Sequence, residues 1–355
     1  MPRVVLDMND RRPVWAMPEW VSERIRDALP SGWQLEVLAT ETDGSGDGAA
    51  RVSADVLEAV TEAEVYLGYG IAESLLEAAP VLRWVHSGAA GVGSSLTAAM
   101  VASSVLFTNS AGVHAPPMAE TVLGMILYFG RGLDLALAGQ RQGRWRQEPF
   151  YQADSPVGEL SDATVGLVGF GGVGREVARR VASLGARVIA AKHRPPRAGE
   201  ANLEPVAGGG ALGSRIELLH GPSALDAVLR ESDVVVVCAP ETAKTRGLID
   251  DRALGLMKDD ALLINVGRGK IIHESALVEA LSEGRIRGAG LDVFAHEPLP
   301  EDHALWSLPN VLLTPHVSAV TGGFWAREAR LIVDNLERYF AHEPLLNLVD
   351  KGAGY

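Results

Sequence analysis

A chain of 355 residues exceeds the ~250–300 at which single hydrophobic cores stop growing, so two domains are expected. At 47% hydrophobic and 22% charged residues, the composition is that of a folded globule and excludes a disordered or fibrous chain. A net charge of −13 argues against nucleic acid or an anionic membrane as partner, because the mean field repels phosphate; a small anionic substrate would need a local cationic pocket.

Read in chain order, the start "MPRVVLDMND" carries no signal-peptide pattern, and no apolar stretch approaches the ~18 residues that would argue for a membrane span. The single cysteine, Cys238, excludes an intramolecular disulfide and suits a reducing compartment, so a cytoplasmic location is expected. Short β-branched runs at 3–7, 35–39, 65–68, 83–87 and 105–109 predict strands, separated by amphipathic helical stretches such as "PEWVSERIRDAL" and "SADVLEAVTEA". The glycine-rich "TDGSGDGAA" between them reads as a loop.

One long helical stretch over 114–145 leads to a second strand series at 164–170, 187–191, 215–220, 233–239, 261–266, 289–294 and 310–315. Near-continuous Val, Ile and Leu in these runs implies burial on both faces, as in the centre of an α/β sandwich. The Pro/Gly-rich excursion 194–214 reads as a surface loop. A closing helix over 324–343 is expected to return to the first domain. The resulting fold is two-domain α/β: a Rossmann-type doubly wound parallel sheet over 113–317, and a flavodoxin-like α/β substrate domain over 1–112 completed by 318–355, with the active site in the cleft between them.

The segment "VGLVGFGGVGREVARRVASLGARVIAA" carries G-x-G-x-x-G between a strand and a helix. Gly169 allows a tight turn, Gly171 lets the backbone approach a pyrophosphate, and Gly174 lets helix and strand pack closely. The whole turn, Gly169, Phe170, Gly171, Gly172, Val173 and Gly174, is therefore assigned to a dinucleotide, whose phosphates the helix start stabilises. Where an NAD-binding strand would end in Asp or Glu, this one ends in Lys192, His193 and Arg194. These cations suit a 2′-phosphate, so NADP(H) is expected to be preferred, with NAD(H) possible.

Each of the last three strands ends in polar chemistry: Arg268 in "LLINVGRGK", Asp292 and Glu297 in "GLDVFAHEP", and His316 in "VLLTPHVSA". Ligands of doubly wound sheets lie beyond such strand ends. His316 can protonate a ketone oxygen as hydride arrives, Glu297 can orient the imidazole and balance its charge, and Arg268 can hold a carboxylate and polarise the neighbouring carbonyl. Singly, each has a bland reading as helix cap, loop charge or turn histidine. Their coincidence at strand ends favours a catalytic set. No metal site is assigned.

Together, "GFGGVGREVA", "NVGRGKIIHESALVEAL" and "GAGLDVFAHEPLPEDHALWSLPNVLLTPH" closely resemble the D-isomer-specific 2-hydroxyacid dehydrogenase family, most strongly over about 160–320. The resemblance implies that Arg268, Glu297 and His316 are catalytic and that Asp292 contacts the nicotinamide carboxamide. It further implies that Ala239, Pro240 and Thr245 line the adenosine side and that Val266 and Gly267 lie near the nicotinamide. "LRWVHSGAAGVGSSL" looks like the substrate loop, with backbone N–H groups of Ala90 and Gly91 on the substrate carboxylate. It departs from the family pattern at Gly93 and Ser94, and "NSAGVHAPPMAETVLGMIL" departs at His114 and the Pro116–Pro117 pair. "GQRQGRW" resembles a dimer arm, so a homodimer is expected, with Trp145 reaching the neighbouring subunit or packing at the surface.

Beyond His316 only the closing helix is expected, which disfavours the longer phosphoglycerate dehydrogenases, and Glu297 argues against formate dehydrogenase, where an amide stands. The expected reaction is reduction of a 2-ketoacid, with glyoxylate or hydroxypyruvate as the default; Tyr66, Tyr69 and Trp145 are candidates to line a pocket for a bulkier acid. An NAD-dependent oxidative dehydrogenase and a dinucleotide-sensing, corepressor-like protein stay open as alternatives.

Overall fold

The structure, a computed structural model, describes residues 1–41, 52–153, 155–206 and 212–354. The "TDGSGDGAA" loop expectation lies outside the described residues. The described chain forms two compact units, 1–114 with 320–355, and 115–319.

In the first unit β1 (Arg3–Leu6), β2 (Gln34–Val37), β3 (Ala63–Gly68), β4 (Trp84–Ser87) and β5 (Leu106–Asn109) form a parallel sheet in the order β2-β1-β3-β4-β5, which is flavodoxin-like. Side chains alternate across it: Val5, Tyr66, Val85 and Phe107 enter one core, while Val4, Leu6, Val65, Leu67 and Trp84 enter the other. The helix Phe324–Phe340 closes the second face with Phe324, Trp325, Ala329, Ile332 and Leu336, all buried on one stripe. Each of the large side chains contributes about 1.5–3 kcal/mol on burial, which is why the C-terminal segment belongs to this unit.

In the second unit β6 (Thr164–Val168), β7 (Arg187–Lys192), β8 (Ile216–His220), β9 (Val234–Val237), β10 (Leu262–Asn265), β11 (Gly288–Leu291) and β12 (Val311–Leu313) run parallel in the order β12-β11-β10-β9-β6-β7-β8. This is the doubly wound Rossmann order with a strand added at one edge, and it reverses between β6 and β9. Val235, Val237 and Leu263 face one core while Val234, Val236, Leu262 and Ile264 face the other, so the central strands are apolar throughout. The edge strands β8 and β12 are less buried.

Two elements differ from the sequence reading. The stretch 114–145 is not one helix: Ala115–Gly130 and Leu133–Arg141 meet at 69° around Gly132, whose φ of +63° ends the first helix. Pro116 and Pro117 fall in the first turn, where a missing N–H costs nothing. No single helix among the described residues is long and apolar enough to cross a membrane. Secondly, the described part of 194–214 is more than a surface loop, because Leu203 and Leu212 are buried in the sheet's core.

Candidate active site

The glycine turn is fixed by close approach. Gly169 has φ +108°, and a Cβ there would lie 2.9 Å from the Ala239 nitrogen; at Gly174 it would lie 2.5 Å from the Gly169 carbonyl oxygen. At Gly171, by contrast, a Cβ would meet nothing within 4 Å, so this glycine leaves open space at the start of the helix Gly172–Ser183. No side chain caps that helix, and its first-turn N–H groups are available to an anion. This cradle fits a dinucleotide pyrophosphate. Behind it, burial pushes the Cys238 thiol up to about 12, and its Sγ lies 3.2 Å from the Gly169 carbonyl oxygen, which makes it a packing residue.

Around the turn, Phe170 and Val266 are core residues at 6% and 1% exposure, so at Val266 any cofactor contact falls to the backbone. Val173 is partly buried against the same core, and Gly172 is exposed. Ala239 is buried and Pro240 exposed; the Thr245 hydroxyl donates to the Pro240 carbonyl at 2.7 Å and accepts the Thr242 N–H at 2.8 Å, closing that loop. A Cβ on Gly267 would stand 3.0 Å from the Ala239 carbonyl oxygen. In the β6–β7 register Val168 faces Ala191, and the Gly169 N–H donates to the Ala191 carbonyl at 2.9 Å, which puts Lys192 beside the turn. Lys192 pairs with Glu200, while His193 and Arg194 are exposed.

The catalytic candidates sit at one level of three adjacent strands. Asn265 faces Leu291, and Leu291 faces Leu313. Beyond them the ladder continues: the Asp292 N–H donates to the Asn265 carbonyl at 3.0 Å, and the His316 N–H donates to the Asp292 carbonyl at 2.9 Å. The loop bearing Arg268 also touches the loop bearing Glu297, since a Cβ on Gly269 would lie 1.9 Å from the Phe294 carbonyl carbon.

His316 turns out of its strand at φ +54°, a left-handed conformation costing a non-glycine residue about 1–2 kcal/mol. Buried Asp292 holds it there: one carboxylate oxygen accepts the Thr314 hydroxyl at 2.6 Å and the Val317 N–H at 2.9 Å, the other the Ser318 N–H at 3.0 Å. Three of the carboxylate's roughly four acceptor sites are thus engaged by the segment around His316. Glu297 Oε2 lies 2.7 Å from His316 Nδ1, with side-chain exposures of 35% and 47%, and Glu297 Oε1 accepts the Phe294 N–H at 2.9 Å. The Arg268 guanidinium donates to the Gly267 carbonyl at 2.9 Å.

Sequence reasoning missed the residues that brace this set. Asn265, 1% exposed, accepts the Gly267 N–H at 3.0 Å and donates to the Arg268 carbonyl at 3.1 Å, shaping the turn that presents Arg268. Its signal was a polar residue ending an apolar run. Glu274 accepts the Ala295 N–H at 3.0 Å and lies 3.2 Å from His303 Nε2. No local pattern marks that bond, because its partners are 21 residues apart.

In the first unit, the expected substrate loop is tied down despite its departures at Gly93 and Ser94. Asn109 donates to the Ala90 carbonyl at 2.8 Å, the Ser110 hydroxyl to the Ser87 carbonyl at 2.9 Å, and the Ile71 N–H to the Ser95 hydroxyl at 3.0 Å. Ala90 is exposed and Gly91 partly buried. Tyr66 and Tyr69 are core residues, at 3% and 7% exposure, and not the pocket lining expected; the Tyr66 phenol donates to Asp7 at 2.6 Å. Trp145 is 88% exposed.

Residues 123–318 match the family described as D-isomer specific 2-hydroxyacid dehydrogenase, NAD binding domain. The chain is 32% identical over 343 residues to the glyoxylate reductase of Thermococcus kodakarensis, covering 96% of this chain and 97% of that one. It spans about half, 53%, of the Mycobacterium bovis D-3-phosphoglycerate dehydrogenase, to which it is 33% identical over 304 residues, 84% of this chain. Among solved structures it is similar to a D-isomer specific 2-hydroxyacid dehydrogenase from Xanthobacter autotrophicus Py2 in complex with NADPH and MES, at TM-score 0.75 and 29% identity over 100% of this chain and 99% of that one. It is likewise similar to an NADPH-dependent glyoxylate/hydroxypyruvate reductase from Sinorhizobium meliloti in complex with NADP and sulfate, at TM-score 0.74 and 26% identity over 100% of both chains. With the doubly wound sheet, the glycine turn and the Glu297–His316 pair in place, the chain belongs to the D-isomer-specific 2-hydroxyacid dehydrogenase family.

Proposed function

We propose that this protein reduces a 2-ketoacid to a D-2-hydroxyacid with NADPH as the preferred cofactor. The observation that carries the proposal is the bond between Glu297 and Nδ1 of the half-exposed His316, at the ends of strands next to the glycine cradle. A carboxylate only accepts, so it keeps the Nδ1 proton in place and leaves Nε2 to face substrate. When bound in the cradle, a nicotinamide dinucleotide supplies the hydride. His316 donates its proton to the carbonyl oxygen, and Glu297 balances the charge the ring carries beforehand. Arg268 leaves the Gly267 carbonyl to hold the substrate carboxylate and polarise the adjacent carbonyl. Backbone N–H groups of Ala90 and Gly91 are proposed as carboxylate-binding groups, a role that rests on the family resemblance.

NADPH is favoured by the cations at the end of β7, with support from the two similar structures, which hold NADPH or NADP. Glyoxylate and hydroxypyruvate are the proposed substrates by similarity to the reductases. A homodimer is also proposed: Leu133, Trp145 and Tyr151 are 50%, 88% and 76% exposed, an apolar surface within one segment that a second copy would cover. The test is a panel of 2-ketoacids, short and bulky, assayed with NADPH and NADH and with the chirality of the product determined. Consumption of NADPH with a D-configured product is expected. A panel in which no ketoacid consumes either dinucleotide would remove the reductase reading.

A further inference from the structure

We propose that Glu200 sets the cofactor discrimination of this enzyme by holding Lys192 where the 2′-phosphate of NADPH would otherwise take it. The inference rests on the dinucleotide-dependent reading above and adds a residue to it.

The geometry begins at the strand end. Lys192 follows Ala191, whose carbonyl is bonded to the first glycine of the phosphate turn, so its ammonium belongs to the neighbourhood of the adenosine ribose. Its partner Glu200 comes from eight residues further on, and both side chains are only 13% exposed. A pair so shielded is screened less than an exposed surface pair. The carboxylate is also held by the backbone: its second oxygen accepts the Arg197 N–H at 2.8 Å, within a turn closed by the Glu200 N–H on the Arg197 carbonyl at 3.1 Å. Leu203, buried three residues later, anchors the segment to the core. Glu200 is therefore built into position and cannot simply drift from the lysine.

A second cation faces the same carboxylate. Arg175 directly follows the third glycine, and its guanidinium carbon lies 6.0 Å from the ring of Phe170, inside the turn. Burial alone would raise the Glu200 carboxyl, but the hydrogen bonds from Lys192 and the Arg197 N–H, with the charges of Lys192 and Arg175, hold it below the usual carboxylate range. Glu200 thus stays anionic among groups that would bind a phosphate. In NAD-binding folds a carboxylate at the end of this strand accepts from the ribose hydroxyls. Here the strand end carries a cation and the carboxylate reaches the site from the following excursion. Toward a ribose 2′-hydroxyl Glu200 is an acceptor; toward a 2′-phosphate it is a like charge and a competitor for Lys192.

The experiment measures binding of adenosine 2′,5′-bisphosphate and of 5′-AMP to the full-length protein by calorimetry, for wild type, Glu200→Gln and the double variant Lys192→Met/Glu200→Gln, with melting temperatures as a check on folding. Glu200→Gln is expected to tighten the bisphosphate at least tenfold at low salt while 5′-AMP changes less than twofold, and the double variant should lose that gain. The steady-state preference for NADPH over NADH should rise in parallel in Glu200→Gln. An unchanged or weaker affinity of folded Glu200→Gln for the bisphosphate overturns the proposal, as does a gain that survives loss of Lys192. Should wild type bind the two fragments equally, the NADPH preference falls, and the shift in Glu200→Gln still decides the role of Glu200. If neither fragment binds any folded variant, the dinucleotide reading fails and takes this proposal with it.

Discussion

His316 and Glu297 in one unit, and His86 and Glu328 in the other, are bonded at 2.7 and 2.9 Å, so distance does not separate them. Access does. His86 and Glu328 are 0% exposed, and both imidazole nitrogens are engaged, Nδ1 by the Thr108 hydroxyl at 2.9 Å and Nε2 by Glu328. The Ser110 hydroxyl also lies 2.9 Å from both Glu328 and the Ser87 carbonyl at the start of the loop carrying Ala90, so its one proton is shared between them. That pair fastens the closing helix to the sheet and has no ring nitrogen left for a ligand. The pair at the end of β12 keeps its imidazole 47% exposed, and its Nε2 has no hydrogen-bond partner among the described residues. Its strained backbone at φ +54° is maintained by Asp292, whereas His86 sits within an ordinary strand. One histidine–carboxylate pair is a rivet and the other is the proposed proton donor, and the difference lies in how many of the ring's polar atoms the fold itself uses.

The contrast is broken most forcefully by removing each histidine. His316→Ala should lower kcat about 10³-fold while NADPH affinity stays within twofold, in keeping with what general acid–base groups contribute. His86→Ala should leave turnover per folded molecule nearly intact and cost about 3–5 kcal/mol in urea unfolding, because Glu328 is left buried without its partner. An exchange of these two phenotypes would reverse the assignment. Arg268→Ala should lower kcat/KM about 100-fold, mostly through KM, as expected for a lost carboxylate contact of roughly 2.7 kcal/mol. Glu297→Gln keeps a hydrogen-bond acceptor but loses the charge; a fall in kcat of about tenfold with an altered pH profile is expected, and an identical profile would detach Glu297 from the proton transfer.

The smallest effect sharpens the structural side. Burial raises the carboxyl of Asp7, partly offset by the hydrogen bond from Tyr66. Its folded form therefore favours the protonated state more than the unfolded chain does. That contribution to stability is full below the unfolded value and is lost as pH rises through the raised folded one. Asp7→Asn should remove this dependence, flattening stability between acid and neutral pH by about 1 kcal/mol, measured by urea midpoints across that range. A slope equal to wild type would show that Asp7 does not titrate as its burial demands.

These two regions also differ in how far they were legible in the sequence. The strands of both sheets and the glycine turn follow from local rules: β-branched runs, and glycines where a Cβ would strike Ala239 or Gly169. Arg268, Glu297 and His316 stand out as candidates in the sequence because each follows an apolar run. The rivet was hidden because its partners are 242 residues apart and only the return of the C-terminal helix joins them. Glu200 was passed over inside a Pro/Gly-rich stretch read as surface, though Leu203 and Leu212 pin that stretch to the core. The break at Gly132 was missed because the hydrophobic pattern continues through it, and Tyr66 because a phenol can serve a pocket or a buried carboxylate equally well in sequence terms.

The central claim is that imidazole, carboxylate and guanidinium act on one carbonyl beside a nicotinamide. A crystal structure with NADPH and a non-reducible 2-ketoacid mimic such as oxamate tests it most directly. His316 Nε2 should lie within hydrogen-bond distance of the ligand's carbonyl oxygen, with Arg268 swung from the Gly267 carbonyl onto the ligand's carboxylate. A ligand bound out of reach of His316, or an Arg268 still bonded to Gly267, would contradict the account.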